Sequence, residues 1–82
     1  MQSVGFSYNG KSYTGSLISN TAEVPEFYWC FLDNNELISE VGECVSFIKK
    51  SEKIQTTRPY NDKYRVLIDS IKAAILPYIL RD

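Results

Sequence analysis

From residue 3 to residue 17, large apolar and small polar side chains alternate on either side of Asn9-Gly10. That dipeptide suits a two-residue type I′ turn, because both central positions need φ > 0. Such a turn pairs Tyr8 with Lys11, Phe6 with Tyr13 and Val4 with Gly15. Val4, Phe6, Tyr8, Tyr13 and Leu17 then share one face, while Ser3, Gly5, Ser7, Ser12, Thr14 and Ser16 share the other. A three-residue loop would pair Phe6 with Thr14 and put half of the apolar set in water, so burial selects the register. Gly5 and Gly15 are candidates for bulges or for close approach by another backbone.

Residues 19–25 read as a loop and Glu26 to Leu32 as a third strand. Phe27 to Leu32 is apolar without alternation, which predicts a central strand covered on both faces. Asp33-Asn34-Asn35 offers a turn or a helix N-cap. Two readings compete for residues 35–50. Leu37, Ile38, Val41, Cys44, Val45 and Ile48 fit one helical stripe. Alternatively a short helix ends at Val41, Gly42 caps it in the αL conformation, and a strand begins at Glu43 with Val45 and Phe47 alternating against Cys44, Ser46 and Ile48. The second is preferred, because Gly42 stands where a cap belongs.

Lys50 to Lys53 forms a polar turn before a strand from Ile54 to Thr57, and Arg58 is extended because it precedes Pro59. Asn61 or Asp62 caps a last helix in which Tyr64, Leu67, Ile68, Ile71, Ala74, Ile75 and Tyr78 make one apolar stripe. Pro77 is expected to kink or end that helix near Leu76. The order ββ-β-α-β-β-α predicts an α+β, two-layer domain: a mostly antiparallel sheet of about five strands with the C-terminal helix packed on one face.

Composition narrows the function more than it identifies it. Eighty-two residues with 44% apolar side chains fit one globular domain spanning 1–82. Nine Lys plus Arg against 10 Asp plus Glu leave a net charge of −1, which supplies no global attraction to nucleic acid or anionic membrane. The chain has no His, which removes imidazole acid–base catalysis and Ser-His or Cys-His nucleophiles. Two cysteines cannot complete a four-thiolate zinc site, and no other metal or cofactor is expected. Cys30 and Cys44 are read as buried, reduced thiols, the first ten residues lack the basic start and apolar run of a secretory signal, and no run approaches the ~20 apolar residues of a membrane span. The expected location is the cytoplasm.

Candidate chemistry is sparse. Cys44 lacks a basic neighbour, with Glu40 and Glu43 the nearest charges in sequence. Six acids and no base lie between Glu23 and Glu43; Glu36 and Glu40 stand one helical turn apart, and Leu37 interrupts the calcium-loop series that Asp33 and Asn35 begin. A solvated acidic edge covers these facts. The four glycines match no phosphate-loop spacing.

Charge is uneven along the chain. Lys49, Lys50, Lys53, Arg58, Lys63 and Arg65 crowd one stretch, with Tyr60 and Tyr64 interleaved. Basic groups among aromatics suit a nucleotide or single-stranded nucleic acid, although the domain as a whole is not basic. The C-terminus carries a surplus of apolar residues. Leu76, Pro77, Tyr78, Ile79 and Leu80 exceed the one stripe that a helix can hide on a small sheet, so they are the expected partner or dimer interface. The leading expectation is a non-enzymatic protein that binds another protein or a second copy of itself; nucleic-acid or nucleotide binding through 49–65 is the alternative.

Overall fold

Five strands follow one another in space as they do in sequence, an antiparallel meander ordered β1-β2-β3-β4-β5. The computed structural model describes residues 1–22 and 24–79. The strands are β1 (Gln2–Tyr8), β2 (Lys11–Asn20), β3 (Glu26–Leu32), β4 (Cys44–Lys50) and β5 (Lys53–Thr56). A short helix α1 (Asn35–Val41) links β3 to β4, and a 3-10 turn (Asp62–Tyr64) leads into the long helix α2 (Arg65–Ile79). The chain is therefore an α+β protein with its C-terminal helix on one face of the sheet.

Local chemistry accounts for most element boundaries. Asn9 and Gly10 both take positive φ, and the hairpin pairs Tyr8 with Lys11, Phe6 with Tyr13 and Val4 with Gly15, the register that burial selects. β2 continues through Asn20, beyond the loop start expected at residue 19, because Ser19 and Asn20 pair with Tyr28 and Phe27. Asn34 caps α1 by accepting hydrogen bonds from the backbone N–H groups of Glu36 and Leu37. Gly42 ends α1 with φ 98° but ψ 174°, so its positive φ is needed for an extended exit into β4 rather than an αL cap. Asn61 caps the 3-10 turn through Lys63 N–H.

The helix α2 runs through Pro77 to Ile79 instead of breaking near Leu76. Proline there forfeits only a bond to the Ala73 carbonyl, in a last turn where that residue is exposed and water can serve it. Continuation carries the i+4 ladder Leu67, Ile71, Ile75, Ile79 along the buried face. Ile79 accordingly closes the core at 6% exposure, while Tyr78, expected in the stripe, turns out at 39%.

These helix residues meet Val4, Phe6, Leu17, Tyr28, Cys30, Leu32, Val45, Phe47 and Ile54 from the inner face of the sheet, and Leu37 and Val41 from α1 join them. Gly15 sits within this face, paired with Val4 on one side and Leu32 on the other. A Cβ on it would meet the Phe31 carbonyl oxygen at 2.8 Å and the Cys30 sulfur at 3.0 Å, whereas one on Gly5 would find its nearest atom at 3.8 Å. Only the first glycine is required by close approach of a backbone. Gly15→Ala is expected to destabilise the fold by about 1–3 kcal/mol and Gly5→Ala by less than about 0.5 kcal/mol, read from urea unfolding midpoints.

Candidate functional site

Strand periodicity sends the remaining apolar residues of β3 outward. Cys30 pairs with Leu17 and Val45 on the inner face, so Phe27, Trp29 and Phe31 lie on the outer one. Phe27 is flanked by Asn20 and Ile48, Trp29 by Ile18 and Ser46, and Phe31 by Ser16 and Cys44. Among the described residues no element covers this face; Phe31 and Ile18 are each 38% exposed, and Phe27, Trp29 and Ile48 are half-buried only by one another and their neighbours. The β3 strand is central, as expected, but covered on one face alone. Phe27 and Trp29 stack with ring centroids 6.0 Å apart and planes 17° from parallel.

Small hydroxyl groups border this aromatic row. Ser46 and Thr57 share a hydrogen bond of 2.6 Å, and Thr14 donates to Asp33 at 2.9 Å. The two ends of the face differ in charge. Asp33 lies at the end of β3 near Thr14, and Lys50 pairs with Lys53 at the opposite end, where β4 turns into β5.

The basic stretch is dispersed by the same periodicity. Lys49 points inward and approaches Glu26 at 3.9 Å, while Lys50 points outward. Arg58 donates from Nη2 to the Val41 carbonyl at 2.9 Å and from Nε to the Tyr60 hydroxyl at 3.2 Å, with its guanidinium 4.8 Å from that ring's centroid. It thereby anchors the C-terminus of α1, where a cation is favoured. Lys63 lies 5.0 Å from the Tyr64 ring centroid, and Arg65 starts α2 on the other side of the sheet from the aromatic row. Lys50 and Lys53 alone of these six bases adjoin the open face.

Of the expected C-terminal interface, Ile79 is core, Leu76 is half-buried against the core, Pro77 and Tyr78 are exposed, and Leu80 lies outside the described residues. Glu36 and Glu40 are both exposed. Cys30 is buried, whereas Cys44, expected to be buried as well, is only partly so because it faces outward beside Phe31.

Among the described residues three groups are shifted from their ordinary values: Arg58 is raised, first by its hydrogen bond to Tyr60, and two groups inside the core are raised as well. Burial first, and the Asp33 carboxylate second, push the Cys30 thiol up to about 11 from 9.0. Burial raises the Tyr28 phenol to about 12 from 10.0, reinforced by its 2.5 Å hydrogen bond to Glu26. Both therefore stay protonated at neutral pH, which makes them poor nucleophiles and bases. Comparison with protein-family models, with curated proteins and with solved structures finds no match to this chain.

The raised values carry a sign. Below pH 9 both folded and unfolded chains hold the Cys30 proton; above it the unfolded chain ionises first, so stability falls as pH rises from 9 through about 11. Tyr28 extends that loss from pH 10 to about 12. Urea titrations are expected to show this alkaline decline, with Cys30→Ala showing less of it between pH 9 and about 11. With a thiol reagent at pH 8, Cys44 is expected to react in the folded chain and Cys30 only on unfolding.

Proposed function

We propose that the chain is a non-enzymatic protein-interaction module that pairs with a second copy of itself through the open face of its sheet. The observation that carries this reading is the contiguous row Phe27, Trp29, Phe31, with Ile18 and Ile48 on either side, on a face that no helix among the described residues covers. Water contact with this row is an unfavourable surface term that a partner would remove.

A copy of the same chain fits on charge. A two-fold axis lying between the two sheets over Trp29, parallel to the sheet plane and perpendicular to β3, stacks the aromatic row on its own copy and brings the Asp33 end of each copy to the Lys50–Lys53 end of the other. The bordering serines and threonines are small enough for two sheets to stack at the usual separation of about 10 Å. Self-association at Leu76–Leu80 loses support, because Ile79 is already spent on the monomer core. The phosphate-binding alternative is weakened by the ties that hold Lys49, Arg58 and Lys63 elsewhere.

Absence of His, and core thiol and phenol groups that remain protonated, support a binding role over catalysis. Both cysteines are free, which suits a reducing compartment such as the cytoplasm, and among the described residues no helix is long and apolar enough to cross a membrane.

Light scattering across a micromolar-to-millimolar dilution series is expected to show twice the 9.4 kDa chain mass at the upper end. Trp29→Lys should weaken dimerisation by at least ~30-fold, as loss of a central aromatic anchor does, with circular dichroism unchanged. Asp33→Lys should weaken it too, and Asp33→Lys combined with Lys50→Asp should recover part of the loss. A wild-type chain monomeric throughout refutes the reading, and a labelled oligonucleotide bound by that monomer and released by Trp29→Lys would replace it.

A further inference from the structure

Register brings chemically unlike side chains together at one end of the outer face. Asn20 pairs with Phe27, Phe27 with Ile48 and Ile48 with Gln55, so these residues cross the sheet side by side. Trp29 lies one outward position back along β3, stacked on Phe27. Lys50 and Lys53 lie one outward position further on, directly opposite each other in the β4–β5 hairpin. Like charges so placed repel. Glu52, between them in the turn, bridges neither, and among the described residues no carboxylate makes a salt bridge to either lysine. Both lysines are exposed, as are Asn20 and Gln55, while Phe27, Trp29 and Ile48 are half-buried. Asn20 Oδ1 accepts from the Ala22 N–H at 3.2 Å, so its amide N–H groups remain as donors.

We propose that this end of the outer face binds a nucleoside triphosphate, with its base on Phe27 and Trp29 and its phosphates at Lys50 and Lys53. A bare polyanion would use the lysines without the rings, and an apolar ligand the rings without the lysines. A small ligand that uses both is planar and polyanionic. The base offers a flat π face to the aromatic pair, and the carboxamides of Asn20 and Gln55 on either side suit the donors and acceptors at a purine edge. Successive outward positions on a strand are about 7 Å apart, a gap that a ribose spans between base and α-phosphate. Phosphate charge relieves the repulsion between the two lysines. Asp33, six positions along β3 from Phe27, stands about 20 Å away and does not oppose it. The site does not need self-association, but a second copy covers the same row, so the two occupants compete.

Trp29 is the single tryptophan of the chain, so its fluorescence reports the site directly. Magnesium-free ATP, titrated into the full-length chain at sub-micromolar concentration, should quench that emission with submillimolar half-saturation. Adenosine, which lacks the charge, should need at least about tenfold more, and inorganic tripolyphosphate should displace ATP without quenching. Lys50→Glu combined with Lys53→Glu should raise half-saturation by ATP at least about tenfold with circular dichroism unchanged, whereas Lys63→Glu should leave it in place. Where light scattering shows a dimer, ATP should shift it towards monomer; a chain monomeric throughout should still show the quenching, which separates this site from the self-association surface. The proposal is overturned by no quenching at millimolar ATP, by adenosine binding as tightly as ATP, or by undiminished binding to the lysine double variant.

Discussion

A sheet has two faces, and this chain provides enough helix to cover one. Fifteen residues of α2 present Leu67, Ile68, Ile71, Ile75 and Ile79 to the inner face. The seven residues of α1 only plug the end of that same core with Leu37 and Val41. Strands place alternate residues on opposite faces whatever their chemistry. The aromatic side chains at 27, 29 and 31 therefore go where no layer remains to receive them. The stability of the fold rests on the inner contact; the open aromatic row is what that contact leaves over.

The parts of this arrangement that were legible in the sequence are those fixed by neighbours along the chain. Asn9-Gly10 and period-two alternation determine the first hairpin, because turn geometry and burial agree on a single register. Gly42 divides residues 35–50 into helix and strand, since a positive φ at that point suits glycine and ends the helix. Other features depend on quantities that no local pattern contains. An unbroken apolar run such as Phe27 to Leu32 shows that a strand is central but not how many layers the rest of the chain can supply. Exposed apolar side chains gather on β3, where Phe31 is 38% exposed, while of the C-terminal surplus Ile79 enters the core and Tyr78 stays exposed. Counting one long helix against a five-stranded sheet was the signal that could have located the β3 row.

The basic stretch shows the converse case, in which residues close in sequence are set apart by folding. Lys49 and Lys50 are adjacent along the chain and on opposite faces of the sheet. Arg58 is drawn to the end of α1 by the Val41 carbonyl, a partner 17 positions away that no motif announces. Pro77 misleads in a similar way. Its cost depends on whether the carbonyl it abandons can be hydrated, and Ala73 stands on the solvent side of the helix. Had the helix stopped at Leu76, Ile79 would have been available to a partner and the core one large side chain poorer.

The asymmetry between the two sheet edges comes from the placement of the same helix. Of the strands, β1 is the one whose backbone α2 approaches most closely, and the bond from Ser70 to the Ser7 carbonyl belongs to that approach. A helix seated toward one edge of a curled sheet stands away from the other. Ile54 still reaches the core through its side chain, but the strand that carries it faces a gap bounded by Lys72 and Leu76 rather than helix backbone. The outer face is left with apolar area and little directional chemistry, bordered by Asp33 at one end and by Lys50 and Lys53 at the other.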